Sequence, residues 1–138
     1  MNLGEKFPNL QVLLVDDDIH SLDILSTFLA ELGVGGIHQY SKGQEALDFF
    51  DAQREWKGLV LCDWNMPEIS GSELLQRMRI KVPEQPFIMV SARNDEESIV
   101  FAKDSGISAY LLKPVPLEEL YHKILKVVHA QGSYFSAI

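Results

Sequence analysis

Asp63 closes an unbroken apolar run, Leu59-Val60-Leu61-Cys62, and Pro67 follows four positions later. A short apolar run bounded by a breaker reads as a buried strand whose last residue surfaces at the sheet end. A carboxylate there can act as a nucleophile, as a metal ligand or as both. Three further strand ends carry polar groups: Asp16-Asp17-Asp18, Ser91, and Lys113-Pro114. In a parallel α/β sheet, ligands bind outside the carboxyl ends of the strands, so these side chains are expected to converge on one shallow cleft.

Convergence changes their chemistry. Two carboxylates about 5 Å apart repel by roughly 3 kcal/mol at an effective dielectric near 20. A cluster of them needs a cation, and oxygen donors with open positions favour magnesium. Lys113 can supply an ammonium, and Pro114 can fix its turn through a cis bond. Cation, ammonium and the Ser91 hydroxyl together can hold three phosphoryl oxygens around Asp63. That is the positioning and charge neutralisation phosphoryl transfer requires, with Asp63 as nucleophile forming an acyl phosphate.

Each residue alone also has a plainer role. One of the three aspartates is expected to cap the following helix. Lys113 alone would be a solvated charge, Ser91 a helix cap, and Cys62 a small buried strand residue.

The elements that must position these groups alternate five times along the chain. Leu10 to Val15 forms a first strand, and Ile19, Leu22, Leu25, Phe28, Leu29 and Leu32 follow at helical spacing until Gly33, Gly35 and Gly36 stop them. Ile37 to Tyr40 is a more polar strand suited to an edge. Ser41 is expected to cap the helix carrying Ala46, Leu47, Phe49 and Phe50. After the Asp63 strand, Ser70-Gly71 opens a helix with Leu74, Leu75 and Met78. Phe87 to Val90 is the fourth strand, and Asn94 or Asp95 opens a helix that Gly106 ends. Ala109 to Leu112 is the fifth strand, and Leu117, Leu120, Ile124, Val127 and Val128 stripe the last helix.

Five strand-then-helix units imply a doubly wound α/β fold, a parallel sheet between helices with right-handed crossovers. Continuous rather than alternating apolar strands agree, because such strands are buried on both faces. The reading gives one domain over 10–130, an N-terminal extension over 1–9 and a C-terminal tail over 131–138, both expected as loose ends. Trp56 is expected to pack in the loop before the third strand, and His122 and His129 to lie at the surface.

The chain has 138 residues, 46% of them hydrophobic, enough for one buried core. A net charge of −8 with scattered basic residues argues against nucleic-acid binding. No run reaches membrane-spanning length, and the N-terminus lacks signal-peptide regions. With Cys62 alone no internal disulfide forms, which favours a reducing cytoplasm.

From Leu10 to Val128 the sequence resembles the receiver domains of bacterial two-component response regulators, most closely the single-domain, CheY-like chemotaxis type. The resemblance rests on Val15-Asp16-Asp17, Asp63-Trp64-Asn65-Met66-Pro67 with Gly71, Ser91-Ala92, and Tyr110-Leu111-Leu112-Lys113-Pro114. Each motif is unspecific alone, but their order and spacing together are highly specific. It implies the (βα)5 flavodoxin/CheY-like fold with strand order 2-1-3-4-5.

The same resemblance implies roles. Asp63 is the phosphoacceptor and Asp17 a direct magnesium ligand. Asp16 contributes to the metal site, and the Asn65 backbone carbonyl completes the protein ligands, with manganese able to replace magnesium. Lys113 contacts the phosphoryl group, Ser91 hydrogen-bonds it once present, and Tyr110 is the aromatic switch residue. Ser91 stands where many relatives carry Thr, and Val115-Pro116 replaces an aromatic residue often found after the Lys-Pro pair. Arg93 falls two residues past the switch hydroxyl, beside the expected phosphate entrance; phosphoryl lifetime in the family is sensitive to this position and to that of Asn65.

The implied function is a signalling switch rather than a conventional enzyme. A sensor histidine kinase is the phosphodonor, and a downstream protein binds the face built by the fourth helix, fifth strand and fifth helix, with chemotaxis the preferred pathway. A monomer or weak dimer is expected. The alternatives are a receiver excised from a larger regulator, a phosphorelay intermediate, or a haloacid-dehalogenase-type phosphatase. The last typically carries a second Asp two residues after its nucleophile, where this chain has Asn65.

Overall fold

The computed structural model describes residues 4–135 and contains β1 (Gln11–Val15), α1 (Ile19–Glu31), β2 (Gly36–Tyr40), α2 (Gly43–Ala52), β3 (Leu59–Asp63) and α3 (Gly71–Lys81). It continues with β4 (Phe87–Ser91), α4 (Glu96–Asp104), β5 (Ala109–Leu112), α5 (Leu117–Ala130) and a short α6 (Gly132–Phe135). The strands form one parallel sheet in the order β2-β1-β3-β4-β5, as expected. Every residue of β3 and β4 is buried, as their apolar runs require with helices on both faces.

Successive strand residues point to opposite faces, and the core divides accordingly. On one side Val12, Leu14, Leu61, Ile88, Val90 and Leu111 meet Leu22, Leu25 and Leu29 of α1 and Leu120, Ile124 and Val127 of α5. On the other, Leu13, Val15, Val60, Cys62, Phe87 and Met89 meet Leu47 and Phe50 of α2 and Leu74, Leu75 and Met78 of α3. α4 adds only Ala102 to this core, leaving Val100 and Phe101 exposed. Trp56 packs edge-on against Phe49 and Phe50 ahead of β3.

The helix starts follow their capping residues. Asp18, Ser70 and Asp95 accept backbone N–H bonds from His20, Glu73 and Ser98 at the starts of α1, α3 and α4. α2 departs from expectation: its N-cap is Lys42, which makes no side-chain cap bond. Ser41 lies one residue too early for its hydroxyl to reach the first turn, where Glu45 instead places a negative charge on the helix dipole.

The chain ends also depart from expectation. Phe7 is 5% exposed and packs on Tyr121, and Tyr134 of α6 is 7% exposed. Each end carries an aromatic whose burial offsets the entropy of ordering its segment. Residues 1–3 and 136–138 of these two segments lie outside the described residues. Among the described residues no helix is long and apolar enough to cross a membrane.

Candidate functional site

Asp16 directly follows β1, Asp63 ends β3, Ser91 ends β4, and Lys113 directly follows β5. The pairings Val15 with Cys62, Asp63 with Val90, and Ser91 with Leu112 bring these ends level. The structure therefore brings together the side chains of Asp16, Asp17, Asp63 and Lys113 and sets Ser91 at the end of the strand beside Asp63. Carboxylate oxygens of Asp16, Asp17 and Asp63 lie within 4.8 Å of one another, with Asp16 and Asp63 buried and Asp17 exposed. Asp16 Oδ1 accepts the Asp18 backbone N–H at 2.9 Å. Lys113 Nζ stands 2.7 Å from Asp16 Oδ2 and 3.6 Å from Asp63 Oδ1. The Lys113-Pro114 bond is cis.

Gly71 lets the loop after β3 fold back on this strand end. Its N–H donates to the Trp64 carbonyl at 2.8 Å, and a Cβ at this position would lie 2.4 Å from the Asp63 carbonyl oxygen. No other residue fits there without moving the phosphoacceptor candidate.

Burial, then the charge of Asp16, pushes the Asp63 carboxyl up to about 7, and Lys113 opposes that rise. Desolvation works against the Lys113 ammonium, but its bond to Asp16 and the charge of Asp63 outweigh it and hold its pKa above the ordinary lysine value. Apart from Lys113, buried Asp16 Oδ2 has no hydrogen-bond partner. Three carboxylates sharing one ammonium leave excess negative charge on hard oxygen donors. The cluster thus fits a divalent cation such as magnesium or manganese.

Beside the carboxylates, one arginine joins four groups. The Arg93 N–H donates to Ser91 Oγ at 3.1 Å, and the Arg93 carbonyl accepts the Tyr110 hydroxyl at 2.7 Å. The guanidinium donates to Asn65 Oδ1 and lies 4.2 Å from the Trp64 ring centroid. Trp64 in turn stacks on Phe101 at 5.9 Å and 10°. Ser91 is fully buried and Tyr110 half-buried. The sequence placed Arg93 near the entrance but did not reveal its bond to Asn65. The available signal was positional: both residues lie two places past the ends of neighbouring strands. His122 and His129 are exposed, 3.6 Å from Glu118 and 3.7 Å from Glu5 respectively.

A sheet in this order, with an acidic cluster, a lysine and a hydroxyl at its carboxyl edge, defines a class. Residues 12–125 match the family model of the response regulator receiver domain, and the chain belongs to that family. Its members are two-component signalling switches, not conventional enzymes.

Within the family, the chain is 31% identical over 121 residues to a chemotaxis protein CheY homolog of Campylobacter jejuni, covering 86% of this chain and 92% of the relative. It is 30% identical over 117 residues to chemotaxis protein CheY1 of Helicobacter pylori, covering 83% and 94%. Among solved structures it is similar to a CheY-like receiver domain protein from Methanospirillum hungatei, with TM-score 0.79, 29% identity and coverage of 90% and 97%. Vibrio cholerae CheY4 gives TM-score 0.76, 27% identity and coverage of 86% and 98%.

Proposed function

We propose that Asp63 accepts a phosphoryl group from a phosphohistidine of a sensor kinase and that the protein stores it as a signal. The observation that carries this reading is the Lys113 ammonium held between Asp16 and Asp63, at 2.7 and 3.6 Å. An Asp63 oxygen attacks phosphorus, an O–P bond forms, and the P–N bond to the imidazole breaks. The leaving nitrogen keeps the electron pair and takes up a proton. Lys113 neutralises charge on the transferred oxygens and orients them.

Asp16, Asp17 and Asp63, with the Asn65 backbone carbonyl, would hold the divalent cation. Magnesium, or manganese in its place, supplies neutralisation of the phosphoryl oxygens when bound.

In the resting arrangement the Ser91 hydroxyl accepts a bond from Arg93 N–H and remains able to donate its own proton. A phosphoryl oxygen on Asp63 gives that proton an acceptor. Drawing Ser91 toward it acts on Arg93 and, through the Arg93 carbonyl, on Tyr110. The face made by α4, β5 and α5 then changes its population of conformers and its affinity for a downstream protein. Similarity to the CheY homologues supports chemotaxis as the pathway. Asn65 has no proton to give or take as a general acid/base, which favours storage over rapid turnover.

Intact-mass analysis after incubation with acetyl phosphate, with and without magnesium, tests this reading. Wild type should gain one phosphoryl group only with the cation, and Asp63→Asn none; a gain that survives Asp63→Asn contradicts it.

A further inference from the structure

Two segments outside residues 12–125, the span that matches the receiver family, are built into the fold at α5. Toward the N-terminus, the Glu5 N–H donates to Tyr121 Oη at 3.3 Å, and the Phe7 ring lies 6.0 Å from that of Tyr121. Lys6 Nζ donates to the Glu31 carbonyl at 2.8 Å, and Phe7 N–H to the Leu32 carbonyl at 3.3 Å. The segment thus hooks the end of α1 to the first half of α5.

Toward the C-terminus, Gln131 caps α5 and ties it to the starts of two strands. Its Nε2 donates to the Glu84 carbonyl at 3.0 Å. Its Oε1 accepts the Ser108 hydroxyl at 2.7 Å, and Ser108 Oγ accepts Phe87 N–H at 3.1 Å. Three residues on, the Tyr134 hydroxyl lies 3.1 Å from Gln85 Oε1 and 3.4 Å from the Trp56 carbonyl. Gln85 is fully buried, and its amide nitrogen already serves the Gly58 and Pro86 carbonyls at 2.8 and 2.9 Å. Loss of Tyr134 would strand the Gln85 oxygen in the core, a costly state for a buried acceptor.

We infer that these two segments form a clasp that fixes α5 to the floor of the sheet, making α5 the stationary wall of the α4–β5–α5 face. The clasp grips the N-terminal ends of β4 and β5, while Ser91 and Lys113 stand at or just past their opposite ends. Motion started at the phosphoacceptor therefore fades toward this floor. α4 is held differently: Ala102 is its one buried residue, Val100 is exposed, and Phe101, though mostly exposed, stacks on Trp64 of the loop after the phosphoacceptor strand. The moving wall is α4. This inference rests on the proposed phosphoacceptor role of Asp63 and on the proposed output face.

Amide hydrogen exchange on the full chain, with and without magnesium and beryllofluoride as a phosphoryl mimic, tests the clasp. In wild type, beryllofluoride should change protection in 96–104 and leave 124–130 unchanged. In Gln131→Ala/Tyr134→Phe, exchange in 124–130 should rise at least tenfold before any mimic is added, and should then respond to it. Tyr134→Phe alone, the milder change, should raise it in the same direction. Phe7→Ala should act on 117–123 instead.

Unchanged protection of 124–130 in the folded variants overturns the clasp, as does a wild-type response there equal to that of α4. Absence of any beryllofluoride response in wild type contradicts the phosphoacceptor reading, and the comparison without mimic still decides whether the segments hold α5.

Discussion

The Arg93 guanidinium donates to Asn65 Oδ1 while resting on the Trp64 ring, so one side chain bridges the loops after β3 and β4. An exposed cation–π contact contributes about 0.5–1 kcal/mol, and the hydrogen bond adds a similar amount. Arg93→Ala should therefore lower stability by about 1 kcal/mol in urea titration. It also frees Asn65, two residues past Asp63, from the loop after β4. Phosphoryl loss should then quicken, and a change on the order of fivefold corresponds to about 1 kcal/mol off its barrier. Retention of both stability and lifetime would show that the bridge has no weight.

The raised Asp63 pKa predicts how stability changes with pH. Its ordinary value is 3.8 and its folded value about 7. Between these the folded state holds the proton that the unfolded state has released, so this group's contribution to stability falls as pH rises and levels off above about 7. Asp63→Asn removes that slope, and its stability advantage over wild type should widen from pH 4 to pH 8. Magnesium, which favours the ionised carboxyl, should raise wild-type Tm more at pH 8 than at pH 5. Thermal scans of both proteins across this range, with and without the cation, decide it.

Lys113 is the cation shared by Asp16 and Asp63, both nearly buried. Removing one partner of a buried ion pair costs about 3–5 kcal/mol, and partial exposure of Lys113 reduces this to roughly 2 kcal/mol. Lys113→Met should show that loss at pH 8 and a smaller one at pH 5, where Asp63 carries a proton in the fold. Chemical denaturation at the two pH values measures the difference; an equal loss at both would refute it.

Glu68, in the loop between Asp63 and α3, has φ of 71°. A side chain in this left-handed region costs roughly 1–2 kcal/mol, and asparagine or glycine tolerates it better. Glu68→Asn should stabilise the protein by about 0.5–1 kcal/mol in urea titration, with Asp63 phosphorylation retained. Destabilisation would mean that the glutamate side chain makes a compensating interaction.

The sheet was legible because burial on both faces leaves apolar strands such as Leu59 to Cys62 with little freedom of interpretation. The carboxylate cluster was legible for a related reason: parallel strands deliver their last residues to one edge. The Arg93 bridge was not, because guanidinium reach and ring stacking depend on loop paths that residue spacing does not encode. Phe7 and Tyr134 were hidden in polar, glycine-containing segments without periodicity, and only their distant partners Tyr121 and Gln85 reveal why they are ordered. Ser41 misled because a capping residue in the sequence does not fix the first helical residue to better than about one or two positions.

In the proposed function Asp63 itself carries the phosphoryl group. Borohydride reduces an acyl phosphate and leaves a permanent mark on the residue that bore it. After acetyl phosphate and magnesium treatment, reduction and peptide mass mapping should find residue 63 converted to homoserine, with the mark absent when magnesium or phosphodonor is omitted. A mark on Asp16, Asp17 or any other residue, or none in a fully phosphorylated sample, would rule out Asp63 as the phosphoacceptor.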